Sequence, residues 1–389
     1  MSLTEKGFVF WPVGTGDSTS VVINDEIVLQ VDLRHLACAN EEDDPHSPIV
    51  DVLVDQLPRR ANSPYLAAFA LTHPDTDHIL GFADLLARVR IGELWFTPRI
   101  FREYNKDLCP DALAFKEEAM RRVRLMIQHN GEVESGDRVR LIGYDILLDD
   151  PDYHGFPQEY FTVPGNWVFE IDRMQLQQEF ATFIHAPFKD DSAGERNETS
   201  LAMQVNLISG QTVSKALLLG DLSYPTIRRI FDTSRASGKQ DTLEWNVLLA
   251  PHHCSKSVMY QRDPESGEQK LMQDILDDLN AAQLPMGYVV ASSDPIPARN
   301  SSGDNPPHAK AKARYEEIVR NSFLCTQEHG GQGAPVPITF VHGEHGLSYA
   351  FVDAPGGSVG GSVTGLAAGV KAARGSDEPP HEKVGFGRA

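Results

Sequence analysis

The sequence predicts an α/β protein in which mixed sheets are covered by helices, and three observations carry that expectation. Apolar, β-type runs alternate with helical spacings along most of the chain. Several of those runs end directly in His or Asp, as a layered sheet with polar loops at one edge would require. The 389 residues, 41% of them hydrophobic and 23% charged, are enough to bury one large core.

In chain order, residues 8–13 form a β-rich run ending in Gly14-Thr15-Gly16-Asp17, where glycine supplies backbone angles closed to other residues. A hairpin follows over 20–32, then a helical spacing over 49–57. Residues 65–71 make a short apolar strand that runs into His73-Pro74-Asp75-Thr76-Asp77-His78, and 79–86 continue as a helix. The cluster therefore sits on a strand-to-helix loop. Residues 98–180 read as an insertion, with a helix from Pro110 to about Ile127 and short strands near 139–142 and 168–171. Regular structure resumes at 183–184, 201–208, 216–219 and 245–250. A helix near 268–282, a strand at 288–291, a helix over 309–320 and a closing hairpin around 341–351 complete a domain over 1–354. From Pro355 the Gly/Ser/Pro-rich sequence reads as a flexible tail over 355–389.

No apolar run approaches the roughly eighteen residues that a membrane helix needs, and the N-terminus lacks a basic start followed by an apolar stretch. The chain is therefore expected to be cytoplasmic, with no membrane partner. Cys38, Cys109, Cys254 and Cys325 form no CxxC pair and read as free thiols. The 55 acidic against 35 basic residues give a net charge of −20, which opposes non-specific binding to polyanions. A nucleic-acid substrate would have to be held by metals or by a local basic patch. Lys310, Lys312 and Arg314, and Arg121, Arg122 and Arg124, are the local clusters, each a helix face that solvent satisfies.

The chemistry concentrates at three strand ends. His73, Asp75, Asp77 and His78 place two imidazoles and two carboxylates within six residues, a nitrogen and oxygen donor set suited to divalent cations. Asp221 follows Leu217-Leu218-Leu219-Gly220, where a buried strand emerges and a carboxylate can bridge two ions. His252-His253 follow Val247-Leu248-Leu249-Ala250-Pro251; one can ligate a metal while the other contacts substrate or moves a proton. Taken singly, these are a polar loop, a turn aspartate and a structural histidine pair. Their recurrence at three strand ends points to a metal centre.

These residues resemble the metallo-β-lactamase superfamily, in particular the branch with the hydrolase domain of the DNA-uptake protein ComEC and the phosphocholine esterases. That resemblance rests on the Gly14–Asp17 turn, Asp32 at the end of a hairpin, His73 to His78 as HxDxDH, Asn197-Glu198-Thr199-Ser200, Gly220-Asp221 and His252-His253, in order over about residues 8–352. It implies an αββα sandwich of two mixed sheets flanked by helices, binding one or two divalent ions, zinc or manganese with magnesium also admitted. The implied metal ligands are His73, Asp75, Asp77, His78, Asp221 and His253, with Asp77, His252 and Asp221 catalytic. Asp17, Asp32, Asn197, Ser200, Lys256 and His308 are implied around them, in contact with substrate or ligands. The chain departs from the family pattern at Leu33-Arg34, where a glycine is usual, and at Cys254-Ser255-Lys256, where Gly-Ser is usual. It also has no histidine at the third motif, for which His185 on the preceding strand is a candidate replacement, and His308 lies in Pro-Pro-His rather than His-Pro order.

The resemblance implies hydrolysis of a phosphodiester in DNA, RNA or a nucleotide through metal-activated water. An ester, thioester or lactam hydrolase of the same fold is the first alternative, although HxHxDH and a third-motif histidine would be expected for it. A scaffold or regulatory subunit, for example of a phage-defence system, is the second.

Overall fold

The structure is a computed structural model that describes residues 3–102, 108–189, 196–263, 265–299, 305–331 and 333–350. The first sheet runs, in spatial order, Gly346–Ala350, Ile338–Gly343, Gly7–Phe10, Thr19–Asn24, Ile27–Val31, Ser63–Ala70, Arg90–Phe96, Arg138–Ile142 and Phe161–Thr162. It is antiparallel as far as Ile27–Val31 and parallel beyond. The second sheet runs Phe323–Cys325, Gln283–Ala291, Trp245–Leu249, Thr212–Leu218, Ala202–Ser209, Phe180–Ala186 and Trp167–Val168. Its first four strands are parallel neighbours and the remaining pairs antiparallel.

Burial explains the layering. In Ser63–Ala70, Tyr65 and Ala67 face inward and pack with Met203, Val205, Leu218 and Val247 of the second sheet. Leu66 and Phe69 face outward and pack with Leu53, Leu85, Phe115 and Ala119, which belong to helices Ile49–Gln56, Phe82–Arg88 and Pro110–Gln128. A strand buried on both faces must be apolar throughout, so 65–71 reads as a continuous apolar run rather than an alternating one. Phe115 lies 5.0 to 6.0 Å from the rings of Phe69, Phe82, Phe96 and Phe101; burying such a ring contributes about 1.5–3 kcal/mol. Helices Tyr224–Ala236, Gln273–Ala282 and Ala309–Val319 cover the outer face of the second sheet through Ile227, Phe231, Leu276, Leu279 and Tyr315. Two mixed sheets between two helical layers are the αββα arrangement expected.

Several local readings change. The helix expected over 79–86 is two, Thr76–Ile79 and Phe82–Arg88, separated by Gly81 at φ 94. The stretch 98–180, read as an insertion, supplies helix Pro110–Gln128 to the outer layer and strands Arg138–Ile142 and Phe161–Thr162 to the first sheet. The strand read near 168–171 divides between Trp167–Val168, in the second sheet, and Glu170–Ile171, which pairs with Met174–Gln175 around a turn at positive-φ Asp172 and Arg173. The helix near 268–282 begins only at Gln273, because Gln269–Leu271 pairs with Tyr260–Arg262. The tail over 355–389 lies outside the described residues. Among the described residues no helix is long and apolar enough to cross a membrane, and the four cysteines are free.

Candidate metal centre

The parallel strands of both sheets deliver their C-terminal ends to one edge, the usual place for a site in such sheets. Ile27–Val31 leads to Asp32, Ser63–Ala70 to His73, Thr212–Leu218 to Asp221, Trp245–Leu249 to His252 and His253, and Gln283–Ala291 to Ser292. The two sheets are tied together there by the Leu201 amide, which donates to the Thr72 carbonyl at 3.0 Å, and within the second sheet the His252 amide donates to the Gly220 carbonyl at 3.0 Å. The Ser292 hydroxyl donates to the Gly16 carbonyl at 2.5 Å. Gly220, at φ 53, allows this approach, since a Cβ on it would stand 3.0 Å from Ser200 Cβ. His252, His253 and Cys254 have φ of 49, 52 and 66. A run of non-glycine residues in the left-handed region is costly, of order 1–3 kcal/mol each, and such strain gathers at functional sites.

The side chains converge on Asp221. Its Oδ1 is 3.3 Å from His78 Nε2 and 3.5 Å from His253 Nε2, and its Oδ2 is 3.7 Å from both His73 Nε2 and His252 Nε2. Asp75 Oδ2 is 3.8 Å from His73 Nε2, and Asp77 Oδ2 is 3.4 Å from His253 Nε2. Asp17 Oδ1 is 3.4 Å from His253 Nδ1. His253 is 1% exposed at the side chain and His252 25%, so the first faces inward and the second toward solvent.

The outer nitrogens of the three buried rings are all committed. His78 Nδ1 donates to Asp32 Oδ2 at 2.8 Å. Thr72 donates its amide and hydroxyl to the same carboxylate at 2.8 and 2.6 Å. With its hydrogen given to Asp32, the Thr72 hydroxyl oxygen accepts from His73 Nδ1 at 3.1 Å. His253 Nδ1 donates to the Ser292 carbonyl at 3.2 Å. Each ring therefore turns Nε2 inward, the arrangement that holds metal-ligating histidines in one tautomer.

Charge accumulates accordingly. Burial lowers the pKa of His73 to about 3, with neighbouring His78 adding to it, so His73 presents a lone pair at neutral pH. Burial also opposes charge on His253, but Asp221 and Asp17 outweigh it and hold that ring at about 10. His78 is raised in the same way by Asp221, Asp32 and Asp77 against its burial. Burial alone would raise Asp221; His253 and His78 outweigh it and hold the carboxyl well below the ordinary range. The centre thus demands positive charge, which protons or cations can supply.

A divalent cation fits this donor set. Asp17, His78, Asp221 and His253 each offer an atom, all within 4.8 Å of one another, close to what ligands at about 2.1 Å from one ion require. His78 Nε2 and His253 Nε2 face each other at 3.2 Å, where two lone pairs need a cation or proton between them. His73 Nε2 and Asp221 Oδ1 are buried with no hydrogen-bond partner. Buried polar atoms are rarely left so unless something else satisfies them.

No family model matches the chain, and no curated protein matches it by sequence. Among solved structures, the chain is similar to the metallo-β-lactamase fold protein YhfI from Bacillus subtilis, at 10% identity and a TM-score of 0.41, covering 86% of this chain and 99% of that one. A diphosphatase from the PhnP family is similar at 10% identity and a TM-score of 0.34, covering 83% of each chain. BJP-1, a subclass B3 metallo-β-lactamase of Bradyrhizobium japonicum, is similar at 14% identity and a TM-score of 0.31, covering 72% of this chain and 89% of that one.

The structure brings His73, Asp75, Asp77, His78, Asp221, His252 and His253 together. Asp17, expected around the ligands, stands 3.4 Å from His253 Nδ1 and 3.9 Å from His78 Nδ1 and groups with His78, Asp221 and His253. Asp32 lies behind His78. The Asn197 carbonyl accepts from the Ser200 amide at 3.0 Å, and Ser200 packs at Gly220. His308 caps helix Ala309–Val319 and braces the loop after the histidine pair: its amide donates to the Cys254 carbonyl and its Nδ1 accepts from the Lys256 amide. His185 does not replace a ligand; its Nε2 donates to the Thr242 carbonyl at 2.9 Å and its ring packs edge-on to Phe183, beside a cavity of about 60 Å³. Thr72 and Ser292 were not singled out from the sequence, although each stands at the end of an apolar strand.

Proposed function

We propose that the chain is a metal-dependent hydrolase of metallo-β-lactamase type that cleaves phosphodiesters, with DNA, RNA or a nucleotide as substrate. The observation that supports this most is the convergence of the His73, His78 and His253 Nε2 atoms with the carboxylates of Asp77 and Asp221 just beyond the strand ends, with Asp17 beside them. His73 and Asp75 on one side and Asp77, His78 and His253 on the other would hold one or two ions, with Asp221 between them. Divalent ions supply Lewis acidity toward a phosphoryl oxygen and lower the pKa of water. A set this rich in carboxylates suits manganese or magnesium as well as zinc, and such oxygen-seeking ions are those commonly used with phosphates.

The protein's own groups do the rest. Asp77 and Asp221 reach the same space and orient the attacking water. His252, partly exposed and 3.7 Å from Asp221 Oδ2, is placed to touch the phosphoryl group or to carry the proton that hydrolysis moves. Replacing Asp221 by Ala is expected to abolish Mn²⁺-dependent turnover of bis-p-nitrophenyl phosphate and of single-stranded DNA. Unchanged turnover would remove this function, and cleavage of lactams or thioesters in its place would reassign the bond.

A further inference from the structure

Arg34 stands beside the donor cluster without belonging to it. The Leu33 amide donates to the His78 carbonyl and the His35 amide to the Leu80 carbonyl, both at 2.8 Å, so residue 34 runs alongside the short helix that carries Asp77 and His78. Its side chain lies across the Gly14–Asp17 turn, where Nη1 donates to the Val13 carbonyl.

The turn is cut to admit it. A Cβ on Gly16 would stand 2.2 Å from Arg34 Cδ and 2.6 Å from the Asp77 carbonyl oxygen, and one on Gly14 would stand 2.4 Å from Arg34 Nη1. Neither contact is sterically allowed, so both positions must be glycine for the guanidinium to lie where it does. His46 Nε2 and Asp294 Oδ1 border the same space over Gly14, at 3.1 and 3.2 Å from that Cβ position.

The guanidinium is half-buried, and among the described residues no carboxylate lies within ion-pair distance of it. The contrast with the arginines between the sheets is direct: Arg138 is paired with Asp172 and Arg140 with Glu93. In a chain with 55 acidic residues, a seated arginine that forms no ion pair among the described residues, with Asp294 Oδ1 its neighbour across Gly14, is placed at the edge of an acidic cluster to receive an anion from outside. Its planar fork of donors matches a phosphate better than any other side chain.

We infer that Arg34 determines specificity by holding an anionic phosphate oxygen of the substrate at the rim of the centre. The inference rests on the phosphodiester reading, which it deepens by naming the residue that recognises the substrate's charge. Its test uses the full chain loaded with Mn²⁺, as wild type, Arg34→Gln and Arg34→Lys. Inorganic phosphate binding is followed by calorimetry and bis-p-nitrophenyl phosphate hydrolysis by steady-state kinetics, with metal content and melting temperature measured alongside.

Loss of charge-assisted hydrogen bonds predicts a rise of about tenfold to a hundredfold in both the phosphate dissociation constant and KM for Arg34→Gln, with a smaller change in kcat. Arg34→Lys should recover part of each. A role confined to bracing the turn would lower melting temperature or metal content and leave phosphate affinity alone. Unchanged phosphate affinity in a metal-loaded Arg34→Gln protein, or no phosphate binding by the wild type, overturns the inference. Should Arg34→Gln fail to fold, an Arg34→Lys protein with wild-type phosphate affinity does the same, because lysine lacks the fork. Arg34-dependent phosphate binding without phosphodiester cleavage would sink the enzymatic reading and leave this one standing; cleavage indifferent to Arg34 would do the reverse.

Discussion

Strand Ser63–Ala70 connects two buried clusters of charge that are satisfied in different ways. Near its start, the Tyr65 hydroxyl donates to Asp172 Oδ2 at 2.5 Å, the Ser135 hydroxyl donates to the same atom at 2.6 Å, and Arg138 is paired with the other oxygen. Next to it, Glu93 accepts the Asp172 amide at 2.7 Å and faces Arg140 Nε at 3.2 Å. Every charge in that group meets its opposite within the chain. Past the strand's other end, about 25 Å away for extended chain at about 3.3 Å per residue, lie His73, His78, His253 and their carboxylates. There Asp221 Oδ1 faces His78 Nε2 at 3.3 Å and His253 Nε2 at 3.5 Å, and the carboxylates meet imidazoles in place of guanidinium groups. A closed cluster, whose carboxylates meet permanently charged guanidinium groups, holds the sheets, whereas an open one, whose carboxylates meet imidazoles, can exchange its protons for a cation that arrives.

The comparison is broken most sharply at its closed side. Replacing Asp172 by Ala leaves Arg138 buried without its carboxylate, and a loss of about 3–5 kcal/mol in unfolding free energy is expected by urea denaturation, with metal content unchanged. A loss of only about 1 kcal/mol, the value of an exposed pair, would mean that this group is not structural.

A smaller effect comes from His185, a buried ring satisfied by a carbonyl. Burial pushes its pKa down to about 4 against an ordinary 6.5. Because the folded state disfavours the proton, the stabilising contribution is complete above about pH 6.5. It is lost as pH falls from there to about 4, amounting to on the order of 3 kcal/mol. Comparing wild type with His185→Gln between pH 7 and pH 4 should show the variant losing less stability; parallel curves would contradict the assignment.

The smallest effect sharpens the open side. Asp32 touches His78 but not the converging atoms, so Asp32→Asn should weaken Mn²⁺ binding about tenfold to a hundredfold in a chelator competition, without removing it.

The open cluster was more legible in the sequence than the closed one. Apolar strands announce themselves, and three of them end in His or Asp; the convergence of His73, Asp77, His78, Asp221 and His253 was readable for that reason. Asp17 was expected around the ligands, and how near it comes to His253 depends on how the Gly14–Asp17 turn folds. Thr72 and Ser292 act by a hydroxyl and a carbonyl, groups with no signature in a sequence. His185 looked like a ligand by position alone, and only the pairing of Phe180–Ala186 shows its ring turned to Thr242. The Asp172 cluster was invisible, because its partners come from residues 65, 93, 135, 138 and 140 and meet only once the strands are in register. That same stretch, read as an insertion, also hid its contribution to the first sheet, because its strands are short and its polar residues satisfy one another out of sight.

The central claim is that the open atoms at the strand ends form a site for divalent cations. Its most direct test is titration of chelator-stripped, full-length protein with Mn²⁺ and with Zn²⁺ by isothermal calorimetry, wild type against Asp221→Ala. Saturable binding of one or two ions per chain in the wild type, weakened or lost in the variant, is the predicted result. A wild type that binds neither ion, or a variant that binds both equally well, would contradict it.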